Sequence, residues 1–161
     1  MQKTFRYEDT IVAVPFVFKI PAIVYNKTLF DEAGLAYPSD EWTEDLFLDL
    51  AMTLTSGEGA DKIFGFNLSF WPYYITRGLL GEQYYDVENR EMNAVGNAGF
   101  RHALQLFADL ISTYEVAPDD TAAKTIGGGF ETGKFAMALT GTFDIPTYET
   151  VIGDSFGWDI V

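Results

Sequence analysis

Between residues 97 and 114 apolar side chains recur at Phe100, Ala103, Leu104, Phe107, Leu110, Ile111 and Tyr114. Steps of three and four residues lay such a set along one face of an α-helix. Asn97 stands where an N-cap belongs, and Pro118 follows the end of the stripe. So wide an apolar face needs a surface to cover, and the rest of the chain must supply it.

The remaining pattern does so. Thr43, Glu44 and Asp45 open a second amphipathic helix, with Leu46, Phe47, Leu50, Ala51 and Leu54 on one face and Ser56-Gly57-Glu58-Gly59 at its end. Asn26-Lys27 leads into a short helix over residues 28–33, closed by Gly34. Pro72 opens another over residues 72–80. Ile11-Val12-Ala13-Val14, Ile23-Val24-Tyr25 and Ile63-Phe64-Gly65-Phe66 are β-rich runs. Phe135, Met137 and Leu139 alternate with Ala136, Ala138 and Thr140, which predicts a half-buried strand. Residues 156–161 read as a last strand. Pro15 and Pro21 have no N–H to give, so the first two strands are expected along an edge or bent. Strands interleaved with helices predict an α/β fold, helices packed on a small mixed sheet. With 161 residues and no linker or repeat, residues 1–161 read as one domain. A chain of that size buries roughly 70% of its unfolded surface.

Charge narrows the function. Asp and Glu number 24 against 10 Lys and Arg, a net charge of −14. That field repels nucleic-acid backbones and anionic lipid, so no nucleic-acid partner is expected. There is no cysteine, hence no disulfide, thiolate-held metal or thiol nucleophile. The one histidine, His102, sits beside the 97–114 stripe and reads as a helix-surface or half-buried residue. A transition-metal site would have to be nearly all carboxylate, and no G-x-S-x-G elbow offers His102 a nucleophile. No metal and no cofactor are expected. No run of about 18 apolar residues exists to span a bilayer. The first six residues lack an apolar signal core, so an export signal, if there is one, is expected outside this chain.

Two stretches imitate motifs. Gly128-Gly129-Phe130-Glu131-Thr132-Gly133-Lys134 fits the glycine and lysine spacing of a phosphate-binding loop. The motif needs Ser or Thr next, for Mg²⁺, and then a helix. Here Phe135 follows, a strand is predicted, and Glu131 puts a negative charge in the cradle; the stretch reads as a turn into a strand. Ser56 to Asp61 lacks the alternating oxygen ligands of a calcium loop. The adjacent acids Asp40-Glu41 and Asp119-Asp120 lie in loops, and adjacency does not create the facing pair a glycosidase needs.

Phe70-Trp71-Pro72-Tyr73-Tyr74, followed by Gly81-Glu82-Gln83-Tyr84-Tyr85-Asp86, is of another kind. Its aromatics bunch around a Pro and a Gly at a loop–helix junction. Exposed Trp and Tyr stack on the C–H faces of sugar rings, and neighbouring Glu, Gln and Asp accept their hydroxyl hydrogen bonds. The same cluster can equally close a core.

Several stretches together resemble a known family. Val14-Pro15, then Val24-Tyr25-Asn26-Lys27-Thr28-Leu29-Phe30-Asp31-Glu32-Ala33-Gly34-Leu35, is similar to the "VP…YYNKDLFKEAGL" segment of extracellular solute-binding proteins of family 1, the sugar-capture subunits of ABC importers. Glu41-Trp42-Thr43-Glu44-Asp45-Leu46 resembles their "TWDEL" helix start, and Leu54-Thr55 the "KLT" at its end. Phe130-Glu131-Thr132-Gly133-Lys134-Phe135-Ala136-Met137 resembles "F.xGKxAM", and Gly141-Thr142-Phe143 the "GxW" after it. Order and spacing agree across nearly the whole chain. Phe143 stands where the family usually has Trp, and Tyr37-Pro38-Ser39-Asp40-Glu41 replaces its Pro-x-Thr.

The resemblance implies one lobe, of the C-terminal type, of a two-lobe periplasmic-binding-protein (type II) fold, with residues 7–25 as the hinge and crossing-strand region. It implies a non-enzyme that captures a carbohydrate in the interlobe cleft and delivers it to a membrane-embedded ABC permease. Its location would be the periplasm or the cell surface, there as a lipoprotein. Carried over by position, Trp71, Tyr73, Tyr74 and Phe143 are stacking residues. Glu82, Tyr84, Asp144 and, beside the hinge, Lys19 are further ligand contacts. Trp42 precedes an amphipathic helix and reads as a structural anchor. Two other readings stay open from the residues themselves. One is a catalytic carbohydrate-active domain using an acid pair from Glu82, Asp86 and Asp144; the other is a protein-interaction module with no small ligand.

Overall fold

The computed structural model describes residues 6–7, 10–14, 20–39, 41–68, 85–86, 89–92 and 96–161. Its centre is strand β7, Phe135–Gly141, in which only Leu139 is not fully buried. The alternation predicted a strand with one wet face; instead both faces are covered, because β7 lies inside the sheet with helices on either side. That sheet runs β4-β7-β3-β8, with β4 at Phe64–Asn67, β3 at Pro21–Asn26 and β8 at Trp158–Ile160. β4 pairs parallel with β7, while β3 is antiparallel to both β7 and β8.

β3 is therefore an inner strand, so of the two expectations for Pro21, an edge or a bend, the edge position is not met. Pro21 is tolerated because it is the first residue of β3 and faces Gly141 of β7 at one end of the ladder. The pairing with β8 begins only at Ile23, whose N–H and C=O both bond Val161. Ahead of β3, the extended run at residues 11–14 is not one strand. β1, Arg6–Tyr7, and β2, Thr10–Ile11, form a two-residue ladder, and Val12 and Val14 follow it exposed. A second short ladder joins β5, Tyr85–Asp86, to β6, Glu91–Met92.

The helices form where capping and periodicity place them. α1, Lys27–Ala33, is capped by the Asn26 side chain on the Leu29 N–H and closed by Gly34 at φ 66°. α2, Glu44–Leu54, is capped by Thr43 on the Leu46 N–H at 3.1 Å. α3, Ala98–Ser112, is capped by Asn97 on the Phe100 N–H at 2.9 Å. α4, Asp120–Ile126, is capped by Asp119, and α5, Ile145–Val151, begins with Pro at its second position. Two stripes are rotated from the pattern. In α2 Leu48 is buried and Leu46 exposed; in α3 Leu106 is buried and Leu104 exposed, as is Tyr114 just past the helix's end. Periodicity marks a broad arc, and only the docking angle chooses which side of it turns inward.

Two clusters make the core. One joins Tyr25, Phe30, Phe47, Ala51, Leu54, Phe66, Leu106, Leu110 and Met137. The other joins Val24, Phe64, Phe130, Phe135, Tyr148 and Ile152. Successive residues of β3, Val24 and Tyr25, enter different clusters, as the period of two requires. Gly65 lets α2 press on β4, since a Cβ there would overlap the backbone carbonyl of Ala51.

Candidate functional site

Strand directions collect the informative residues at one end of the sheet. The carboxyl ends of β4, β7 and β8 and the amino end of β3 all lie there. In open α/β sheets ligands sit outside strand carboxyl ends, where backbone groups and loops are free to face them.

The turn Gly141-Thr142-Phe143-Asp144 leaves β7 at this end. The Asp144 N–H closes it on the Gly141 carbonyl at 2.9 Å, and the Thr142 N–H reaches the Ile20 carbonyl at 3.1 Å. The turn is thus stitched to the chain that enters β3. Phe143 folds its ring over Gly141, where a Cβ would overlap it. The glycine is needed because the ring lies against the strand backbone. The ring is still 37% exposed, and Asp144 beside it is half-buried.

Behind the turn lies a polar chain. Thr140 and Tyr148 are buried at 5% and 9% exposure. The Thr140 Oγ1 donates to Asp144 Oδ2 at 2.9 Å and lies 3.3 Å from the Tyr148 hydroxyl. Burial, foremost, raises the Tyr148 hydroxyl above its usual range, and the nearby Asp144 and Glu131 add to the shift. Tyr148 packs edge-on against Phe130 and Trp158, which set its ring on α5.

Of the residues proposed from sequence, Phe143 and Asp144 fall together in this turn. Lys19, Trp71, Tyr73, Tyr74, Glu82 and Tyr84 lie outside the described residues, as do the helix at residues 72–80 and Pro15. Trp42 packs on the core and lies 6.4 Å from Phe47, and its buried Nε1 makes no hydrogen bond among the described residues. That is the environment of a structural anchor. Sequence reasoning missed Thr140 and Tyr148. Thr140 reads as one more alternating strand residue, and nothing in the spacing tells that Tyr148, eight residues on, turns back to it.

Other candidates resolve differently. Residues 130–132 form a 3-10 turn, Gly133 takes φ 72°, and β7 follows directly. Glu131 Oε1 accepts the Gly129 N–H at 2.8 Å, so its own carboxylate occupies the loop where a phosphate would need those amides. Lys134 Nζ donates to the Ala60 carbonyl at 3.1 Å. Around this turn, at the amino ends of β4 and β7, lies a hollow of about 890 Å³ lined by Lys62, Phe64, Asp119, Thr125 and Lys134 among others. It is at the opposite end of the sheet from Phe143. His102 makes an exposed 2.8 Å pair with Glu44, bridging α3 and α2. Among the described residues no three His, Asp or Glu are grouped to hold a metal ion, and no helix is long and apolar enough to cross a membrane.

Solved structures share this architecture. An ABC substrate-binding protein from Listeria monocytogenes, in complex with cycloalternan, matches 99% of this chain on 40% of its own, with TM-score 0.79 and 22% identity. An ABC transporter solute-binding protein from Thermotoga lettingae, bound with alpha-D-tagatose, matches 99% on 43%, with TM-score 0.74 and 22% identity. The cyclic alpha-maltosyl-1,6-maltose binding protein from Arthrobacter globiformis matches 99% on 40%, with TM-score 0.72 and 22% identity. The chain therefore spans about two fifths of the length of these structures, and its fold is that of one lobe of the periplasmic-binding-protein architecture. No curated protein matches the sequence. The model of the bacterial extracellular solute-binding protein family matches residues 2–156, so nearly the whole length agrees in sequence as well as in fold, and the chain belongs to that family.

Proposed function

We propose that residues 1–161 are the second lobe of a two-lobe protein, with residues 7–25 at the hinge, and that the protein captures a carbohydrate between its lobes without turning it over. The observation that carries this is the Phe143–Asp144 turn. It sets a partly open aromatic ring beside a carboxylate, at strand carboxyl ends and bonded to the chain entering β3. A ring and a hydroxyl acceptor side by side suit a sugar, which offers apolar C–H faces and hydroxyl groups together. The sugars bound by the Listeria, Thermotoga and Arthrobacter proteins support the same class. A net charge of −14 suits a neutral ligand better than a phosphate.

In this reading Trp71, Tyr73, Tyr74 and Phe143 stack on sugar rings, and Asp144, Glu82, Tyr84 and Lys19 bond hydroxyl groups. A membrane-embedded ABC permease receives the sugar, and the protein works at the cell surface or in the periplasm, as expected of its extracellular family. The test is a thermal-shift and calorimetry panel of maltotriose, mannobiose, tagatose and cycloalternan on the full-length protein. Binding only the folded form must raise its Tm. Trp71→Ala and Phe143→Ala should each weaken binding by about 1–3 kcal/mol. No shift with any sugar would overturn the ligand class, and release of smaller sugars on incubation would favour an acid-pair enzyme instead.

A further inference from the structure

The Asp144 carboxylate is held in an unusual way for a residue that opens a helix. It makes no capping hydrogen bond to α5. Its Oδ2 is taken by Thr140, and its Oδ1 makes no hydrogen bond to the described residues. Thr140 Oγ1 has a single proton and two neighbours, Asp144 and Tyr148. The carboxylate has none to give, so Thr140 donates to Asp144 and accepts from Tyr148. The direction of the chain is thereby set, and each donor polarises the next. Tyr148 has the proton to give, since a phenol is protonated at neutral pH and burial only raises its hydroxyl further.

We infer that Tyr148 and Thr140 are positioning residues, a buried hydroxyl relay that locks the Asp144 side chain in one rotamer and leaves its second oxygen turned out as an acceptor for one ligand hydroxyl. The acceptor role rests on the sugar-binding reading above; the locking does not. Rigidity matters because an acceptor already oriented loses less freedom when ligand arrives. Thr140 suits this role because it is anchored in β7, where it pairs with Ala22 of the inner strand β3, and so transmits the sheet's stiffness to the carboxylate.

The test has two arms on the full-length protein. In the first, without sugar, NMR three-bond couplings between Hα and Hβ of Asp144 read its rotamer. One rotamer is expected in the wild type and in Thr140→Ser, which keeps the hydroxyl, and averaging is expected in Thr140→Val. An averaged wild type, or an unchanged Thr140→Val, overturns the relay whatever binds. In the second, calorimetry uses maltotriose, mannobiose and cycloalternan. Thr140→Val should weaken the tightest of them about 10-fold, Tyr148→Phe about 3-fold, and Thr140→Ser by no more than about 2-fold. Combining Thr140→Val with Asp144→Asn should cost no more than Asp144→Asn alone. If Asp144→Asn weakens binding and Thr140→Val does not, the relay is wrong and the sugar site stands. If no sugar binds, or Asp144→Asn leaves affinity unchanged, the acceptor role fails, and the couplings alone decide whether the relay locks the side chain. Melting curves of each variant separate these effects from unfolding, and rescue by Ser is the outcome a purely packing role for Thr140 does not produce.

Discussion

Replacing Gly65 by alanine should be among the most damaging one-methyl changes in this chain. The Gly65 N–H bonds Thr55 Oγ1 at 2.9 Å, and the same hydroxyl donates to the Ala51 carbonyl at 2.7 Å. One hydroxyl thus stitches the last turn of α2 to β4, and a Cβ at residue 65 falls on the Ala51 backbone itself. Backbone cannot rotate away as a side chain would, so α2 must lift off the strand. Overpacking of that kind costs about 1–3 kcal/mol, and loss of the Thr55 link adds about 1 kcal/mol. Opening the edge-to-face contact of Phe47 with Phe66, 4.9 Å between ring centres, adds to it. A total of about 3 kcal/mol should lower Tm by roughly 6–12 °C in a chain of this size. The control is Gly34→Ala. Gly34 sits at φ 66° with open space around its missing Cβ, so alanine there meets only left-handed strain of about 1–2 kcal/mol. Urea denaturation of both variants decides the matter. A loss at Gly65→Ala no greater than at Gly34→Ala would refute the close approach of α2 to β4.

Three further outcomes are expected. Tyr148 and Tyr25 are raised above 10.0, mainly by burial, so the folded chain keeps their protons to higher pH than the unfolded chain. Their contribution to stability is therefore complete below pH 10 and lost as pH rises through the folded-state values. Urea midpoints followed into alkali should fall there, and an alkaline limb unchanged in Tyr148→Phe would contradict its share. ATP with Mg²⁺ should leave Tm unmoved, because Glu131 fills its own loop; a shift abolished by Lys134→Ala would revive nucleotide binding. Asp119→Ala should lower stability by about 0.5–2 kcal/mol, since its carboxylate caps α4 through the N–H groups of Thr121 and Ala122; circular dichroism melts that match the wild type would count against the cap.

Local chemistry makes much of this protein legible before any coordinates. Asn26, Gly34, Thr43 and Asn97 announce helix ends because capping depends on a few adjacent residues, and each does what its type predicts. The β-rich runs around Ile23, Phe64 and Phe135 become strands for the same reason. The family is legible too, because five short motifs keep their order and spacing, and Phe143 and Asp144 come with it by position. Tertiary structure decides what no local signal encodes. Pairing of β3 between β7 and β8 turns a strand with Pro21 at its head into an inner one, and packing against both core clusters leaves β7 buried on both faces. The docking angle of the helices exchanges Leu46 for Leu48 and Leu104 for Leu106, because a stripe fixes an arc and only a partner fixes its centre. Gly141 is legible along the chain only as the first residue of the stretch resembling the family's GxW, and only the fold lays the Phe143 ring on it. The hydroxyl chain from Tyr148 through Thr140 to Asp144 exists only because α5 folds back over the end of β7, and contact made by such a return is a property of three dimensions, not of spacing along the chain.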